Sequence, residues 1–489
     1  MRVQPVPSLT RRGFVASALA GAGALALPRG LVRPVSAAAA ETGGAPYGPT
    51  WESLDSHPIP DWFEDAKLGI FIHWGLFAVP AWGPRGTYAE WYPVYMKQLT
   101  HQTFRHHLLT YGGPLFAYRD FIPMWRAELW DPDAWADLFR RAGARYVVPV
   151  AEHHDGFPLW DSKLTEWNSV KMGPKRDFVR ELGQATRSQG MKYGPSYHAY
   201  LSNYSPQYDG PDPRYGSAST RPQYMAYTNE KLRELIEVAD SDIFWLDGDW
   251  NFSSDVYQTR PTLAWYYNRA HERGQLVAAN DRLGQVRGKH GDFYTQEYDY
   301  DTNQGVHHKW ENTRGMGFSF GFNQAEPPED YLTLDALVWM FVDNVAHGAN
   351  LLLNVGPRGD GTINDIQRDL LLGLGDWLQT NGEAIYGSRA HTVQKGTTFE
   401  GLDVRYTVPG PSASSTEKAS LYALVHGSPT PGGTVAFRAD QVPALGPTQQ
   451  VRLLGHPAPL QWVHEGDRVT VVMPAALPPQ QPVFTVRFD

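Results

Sequence analysis

Cutting a glycosidic bond takes two carboxyl groups, one ionised and one protonated, on either side of the anomeric carbon. The sequence holds a candidate for each at the end of a short apolar run. Ile243-Phe244-Trp245-Leu246 reads as a buried strand that ends in Asp247 and is broken at once by Gly248. Side chains alternate along a strand, so Trp245 and Asp247 share a face and set an aromatic plate beside a carboxylate. Glu297 lies in a second run, Asp292 to Tyr298. From separate strand ends the two groups could approach to about 5 Å, the separation of a double displacement. An ionised Asp247 would keep Glu297 protonated as the acid, and once Asp247 carries the sugar, Glu297 could ionise and activate water. A lone Asp-Gly is more often a turn, and spacing does not single out these two from 52 acidic residues.

What gives the pair weight is its company. His73, Glu90, Trp91, His153, His154, Tyr197, Arg282 and Phe320 all fall at strand ends or in aromatic loops. Imidazole, phenol and guanidinium groups hold hydroxyls, while Trp245 and Phe320 suit the apolar face of a sugar ring. A metal site is the competing chemistry, with His73, His153, His154 and Asp247 as ligands of a barrel hydrolase. Neighbouring histidines on one strand point apart, so at most one of His153 and His154 would ligate, and no H-x-H spacing is present. A metal site is therefore ranked well below the paired carboxylates, and none is expected. A sugar-binding protein on a catalytically dead barrel is the non-enzyme alternative, and the presence of both Asp247 and Glu297 argues against it.

Composition narrows the field further. The chain has 489 residues, no cysteine and a net charge of −9. That excludes disulfides, thiolate nucleophiles and iron–sulfur clusters, and gives no support to nucleic-acid or anionic-membrane binding. Aromatic residues make up 13%, with 17 Trp and 25 Tyr, which tilts toward carbohydrate. No strand is followed by a G-x-G-x-x-G, and no Walker A pattern occurs.

The elements that must position these residues alternate strand and helix. Asp61 to Lys67 reads as a helix feeding a strand from Leu68 to His73. Asp131 is an N-cap with Pro132 at N1, and Gly143 closes that helix before Tyr146 to Val150. Further strands are expected at Lys192–Tyr197, Leu276–Asn280, Asp292–Tyr298, Phe318–Phe322 and Leu351–Val355, with helices at Met225–Ala239, Leu334–Ala346 and Asp365–Thr380. About eight buried strands over roughly 330 residues fit an α/β (β/α)8-like TIM barrel with insertions. After residue 390 the texture changes. Val404, Tyr406 and Val408, then Leu421, Ala423 and Val425, alternate with polar residues, as do Val469, Val471, Met473 and Phe484, Val486, Phe488. This predicts a C-terminal antiparallel β-sandwich domain over 391–489, more a scaffold than a sugar platform, since its one tryptophan is Trp462. At the other end, Thr10-Arg11-Arg12-Gly13-Phe14-Val15, an Ala/Gly-rich run and Ala37–Ala40 read as a twin-arginine export signal over 1–40. The mature barrel domain, 41–390, would be secreted or periplasmic and free of the membrane.

Taken together, LGIFIHWG at Leu68, EWY at Glu90, EHHDGF at Glu152 and FWLDG at Phe244 resemble the α-L-fucosidases of glycoside hydrolase family twenty-nine. So do NDR at Asn280, DFYTQEY at Asp292, KWENTRGMGFSFGFN at Lys309 and GANLLLNVGPRGDGTI at Gly348. The resemblance covers most of residues 50 to 390. It implies a retaining exo-α-L-fucosidase acting on terminal fucose of a glycan, without cofactor. Asp247 is then the nucleophile and Glu297 the acid/base, with Glu311 of KWENT as rival. Fucose contacts are implied for His73, Glu90, Trp91, His153, His154, Tyr197, Trp245, Arg282 and Phe320. Two features stand apart from the pattern: Asp249 after Gly248, and a Pro/Gly/Ser-rich insertion from Asn203 to Thr220.

Overall fold

In the computed structural model, the residues whose structure is described are 46–198, 204–205, 210–211, 222–249, 252–298, 308–411, 419–446, 449–478 and 481–489. The proposed export signal and most of the Asn203–Thr220 insertion lie outside them.

Nine short parallel strands make the staves of a barrel. They are β1 (Leu68–Ile72), β2 (Tyr146–Glu152), β3 (Lys192–Tyr193), β4 (Ser196–Tyr197), β5 (Ile243–Leu246), β6 (Ala278–Ala279), β7 (Tyr294–Glu297), β8 (Trp310–Gly315) and β9 (Ala349–Val355). Both β3 and β4 pair with β2, and Gly194-Pro195 separates these two halves of one stave. Each stave otherwise pairs with the next in sequence, and β9 returns to pair with β1. A parallel bridge from Asn280 to Phe293 joins the chain after β6 to the chain entering β7, which closes the ring. The fold is a (β/α)8 barrel.

Strand alternation sorts the side chains into two layers. Leu68, Ile70, Ile72, Leu351, Leu353 and Val355 face outward into one large core shared with the surrounding helices. Phe71, Val148, Val150, Ile243, Trp245 and Leu352 face inward. The floor of the lumen is sealed by Phe63 from the helix Asp61–Ala66, whose ring lies 4.4 Å from Phe293 and 5.6 Å from Tyr146. Gly69 on β1 is required there, because a Cβ at that position would sit 2.2 Å from the Tyr146 ring.

The helices follow their local signals. Asp131 accepts from the N–H groups of Asp133 and Ala134 and caps Pro132–Arg141, and Gly143 leaves that helix at a φ of 91°. Leu334–Ala346 forms as expected, while two others run a little longer, at Pro222–Ala239 and Asp365–Asn381.

One stave is not where sequence pattern puts it. Phe318–Phe322 is irregular, and the seventh stave is β8, which carries a carboxylate into the barrel at Glu311 and so lacks a simple apolar signature. In Phe318–Phe322, side chains take the backbone groups a strand would use. Glu90 accepts from Gly321 N–H at 2.9 Å, and the Asn354 amide donates to Phe320 O at 2.7 Å. The Leu276–Asn280 run also shortens to Ala278–Ala279, with Leu276 left exposed.

Beyond Gly387 the chain forms a five-stranded and a three-stranded antiparallel sheet. Val404, Tyr406, Leu421, Ala423, Val425, Val469, Val471, Met473, Phe484, Val486 and Phe488 share a core of their own, and Trp462 packs against its edge. The opposite phase of the five-stranded sheet, Tyr422, Leu424 and Val483, belongs instead to the barrel's outer core. Trp377 donates to Val483 O at 2.8 Å, and Thr485 donates to Asn381 Oδ1 at 2.8 Å. The sandwich therefore rests on the helices Leu334–Ala346 and Asp365–Asn381, and Tyr47–Asp489 is one compact unit.

Candidate active site

The C-terminal ends of the staves gather the chemistry. β5 ends at Leu246, and Asp247 follows it, almost fully buried. The peptide just before Asp247 is clamped by Asn280, which accepts from Leu246 N–H at 3.1 Å and donates to Leu246 O at 2.9 Å. The neighbouring Asp281 takes the N–H and hydroxyl of Thr295 on β7, at 3.1 and 2.7 Å. Arg282 donates through Nε to that same hydroxyl at 2.9 Å. Its two remaining nitrogens reach Asp247 Oδ1 at 2.7 Å and Glu297 Oε2 at 3.4 Å. Each residue of the Asn280-Asp281-Arg282 triplet thus fixes part of one unit, in which a guanidinium holds both candidate carboxylates. The Asp247 side chain is 1% exposed and that of Glu297 10%.

On the far side of Asp247, His198 Nδ1 lies 3.2 Å from Oδ2, and its Nε2 is 3.0 Å from Ser196 Oγ. The His198 ring also stacks over Trp245 at 5.8 Å. Tyr197, expected at the site, instead faces the helix layer, within 6.0 Å of Lys231 Nζ. Register gives the reason. Tyr197 pairs with Leu246, an outward residue, so His198 comes level with Asp247. The aromatic phase Tyr193, Tyr197 could have signalled this, but Gly194-Pro195 interrupts the run.

His153 and His154 do not point apart. β2 ends at Glu152, and both rings lie in the turn that follows, 4.7 Å from one another and 5.4 and 5.9 Å from His198. Trp91 packs on His154 at 4.8 Å. Burial, reinforced by the surrounding histidines, pushes the His153 pKa well below its ordinary value, so this ring is neutral and able to donate and accept. His73 Nδ1 meets Asn354 Oδ1 at 2.7 Å, and the same Asn354 holds Phe320, whose ring is 4.8 Å from His73. Glu90 accepts from Ser319 and Gly321 beside them. Trp245 Nε1 donates to Glu311 at 2.9 Å, and the Arg282 guanidinium lies 4.9 Å over the Trp245 ring.

Glu311 is a different kind of group. It sits opposite Thr295, two residues deeper than Glu297, which is level with Thr313. It is fully buried and accepts from the Tyr146 hydroxyl and from Trp245. Burial raises its pKa to about 7. Asp249 lies 3.7 Å from Arg287 Nη1 at the rim. Two trios, His73/His153/His198 and His154/His198/Asp247, bring donor atoms within 4.8 Å of one another, a spacing that a metal ion could use as well as a sugar hydroxyl.

A closed parallel barrel with paired carboxylates, histidines and aromatic plates at its C-terminal mouth is the architecture of a (β/α)8 glycoside hydrolase. Comparison with known proteins takes this further. The alpha-L-fucosidase family model matches residues 35–383. The human plasma alpha-L-fucosidase is 36% identical over 441 residues, spanning 89% of this chain and 90% of that protein. The human tissue alpha-L-fucosidase is 35% identical over 438 residues, covering 88% and 89%. A crystal structure of Thermotoga maritima alpha-fucosidase with a mechanism-based inhibitor superposes with a TM-score of 0.77 at 36% identity, covering 90% of this chain and 99% of that one. Its complex with fucose gives 0.76 at 35%, covering 91% and 100%. The chain belongs to the α-L-fucosidase family of glycoside hydrolases.

Proposed function

We propose that the chain is a retaining exo-α-L-fucosidase that releases terminal α-L-fucosyl residues from glycans by double displacement. The observation that carries this reading is the single guanidinium of Arg282 shared by Asp247 and Glu297. It draws carboxyl groups from two strand ends together, as a retaining pair at about 5 Å requires. An Asp247 oxygen attacks the anomeric carbon while Glu297 gives its proton to the departing oxygen, leaving a fucosyl ester on Asp247. Water then enters, Glu297 takes its proton, and the ester bond breaks with a second inversion. His198 and Arg282 hold Asp247 by its two oxygens and stabilise the charge it regains. The neutral His153 ring and the histidines beside it, with Glu90 and Trp91, suit sugar hydroxyls, and Trp245 with Phe320 suits the apolar ring face.

Proton NMR of the product formed from an aryl α-L-fucoside, read before mutarotation, tests the mechanism. Initial α-L-fucose is expected, and initial β-L-fucose would overturn the paired roles. The histidine trios favour one second reading, a divalent-metal hydrolase. On that reading exhaustive chelation abolishes turnover, whereas on ours the rate is unchanged. The same proposal gives the chain a barrel over 41–390, a sandwich over 391–489, and twin-arginine export with cleavage near Glu41. N-terminal sequencing of the exported protein checks the last point.

A further inference from the structure

Beside the mouth, a run of aromatic rings leads outward from the buried fucose site to the surface. Phe320 is buried and packs on His73. Tyr88 stacks near it, with centroids 5.9 Å apart and planes 26° from parallel. Phe318 stacks on Tyr88 at 5.1 Å and 21°, and Tyr298 stacks on Phe318 at 5.8 Å and 26°. Phe318 is 38% exposed, an unusual position for a ring held so firmly. Its backbone N–H and that of Ser319 both donate to Glu326 Oε1, at 2.8 and 2.7 Å. The Tyr298 hydroxyl donates to Phe318 O and accepts from Gly315 N–H at 3.2 Å, and Tyr298 itself holds a left-handed φ of 56°. That backbone form is costly for an aromatic residue and persists only where the surroundings impose it.

Tyr298 directly follows Glu297, the group that protonates the departing oxygen on the reading given above. The leaving sugar must therefore lie on the Glu297 side, where these rings stand. We propose that Phe318, flanked by Tyr88 and Tyr298, is the stacking platform for the sugar unit from which fucose is released. Its ligand is a pyranose with an apolar C–H face, such as a β-linked hexose or N-acetylhexosamine carrying the fucose. The assignment makes this patch a determinant of aglycone preference, and it rests on the fucosidase reading of the Asp247–Glu297 site.

The test compares a fucosylated disaccharide with α-L-fucosyl fluoride, which carries no leaving sugar to stack. Phe318→Ala should lower kcat/KM for the disaccharide by about five- to tenfold, chiefly through KM, and leave the fluoride within about twofold. Phe318→Trp should restore the disaccharide rate, which a merely structural role would not predict. Equal losses on both substrates, or an unchanged disaccharide rate, would overturn the platform. Asp247→Ala serves as the separate control. If it retains fluoride turnover, the catalytic reading fails, whatever the Phe318 substrate ratio shows.

Discussion

Glu311 and Glu297 stand on neighbouring parallel staves, two residues of register apart, and their surroundings divide them. The deeper layer around Glu311 is closed. Tyr146 and Trp245 occupy its oxygens, the side chain is fully buried, and burial raises its pKa to about 7. The mouth layer around Glu297 is open by a tenth of the side chain, and its charged partner Arg282 is shared with Asp247. One carboxyl group is thus fixed as an internal acceptor that orients Trp245, while the other is placed where a proton can be passed to a substrate. On the proposed roles, depth along the stave, not residue type, separates a supporting carboxyl group from a reacting one.

Removing groups from each layer should give graded effects. Asp247→Ala takes away the proposed nucleophile and should reduce kcat by roughly 10⁴-fold or more, with an unchanged circular dichroism spectrum. A rate near wild type would remove Asp247 from its role. Glu297→Ala should cost about 10²- to 10⁴-fold with a poor leaving group. Azide should rescue it on an activated aryl fucoside and yield a fucosyl azide of inverted configuration. If Glu311→Ala shows that rescue and Glu297→Ala does not, the two layers have been assigned the wrong way round.

His198→Ala removes the ring that lies 3.2 Å from Asp247 Oδ2 and should lower kcat/KM by roughly 10- to 100-fold, through the lost electrostatic contact at the reacting carboxylate. Tyr197→Phe, one residue away but on the outer face, should change it by less than about threefold. Parallel kinetics of the two variants read strand phase directly, and a reversed order would contradict the register. The mildest effect concerns stability. Because the folded pKa of Glu311 lies above its ordinary value of 4.5, the native state keeps a proton that the unfolded chain has released between those two values. Stability is therefore full below about pH 4.5 and falls as pH rises through 7, by about 3 kcal/mol for this group. Asp155 and Glu326, also raised to about 7, act in the same direction. Urea midpoints from pH 5 to 8 should show the decline, and Glu311→Gln should flatten part of it.

Much of this was legible in the sequence because buried parallel strands announce themselves. Leu351-Leu352-Leu353 and Tyr146-Val147-Val148 are apolar on both faces, and only a covered sheet makes that pattern. The sandwich core was legible for the opposite reason, through clean alternation such as Val404, Tyr406. What stayed hidden was anything that depends on a neighbour. β8 carries no strand signal because Trp310 is the one apolar side chain of WENTRG, and the acceptable environment for its buried Glu311 comes from Tyr146, 165 residues earlier. The place of His198 is hidden in the sequence because strand phase is lost at Gly194-Pro195 and returns only through pairing with β5. Asn280 and Thr295 likewise gain meaning only once Leu246 and Arg282 are beside them.

The return of β9 to β1 sets a timetable for folding. Leu68 pairs with Leu351, so the first stave waits for nearly the whole barrel to be made before its second edge is covered. Such a long-range pairing is slow to form, and until it does the nascent chain exposes two unpaired strand edges rich in leucine and isoleucine. Any polypeptide released before Val355 is accordingly an aggregation hazard, because the leucine-rich edges stay uncovered until the ring has shut.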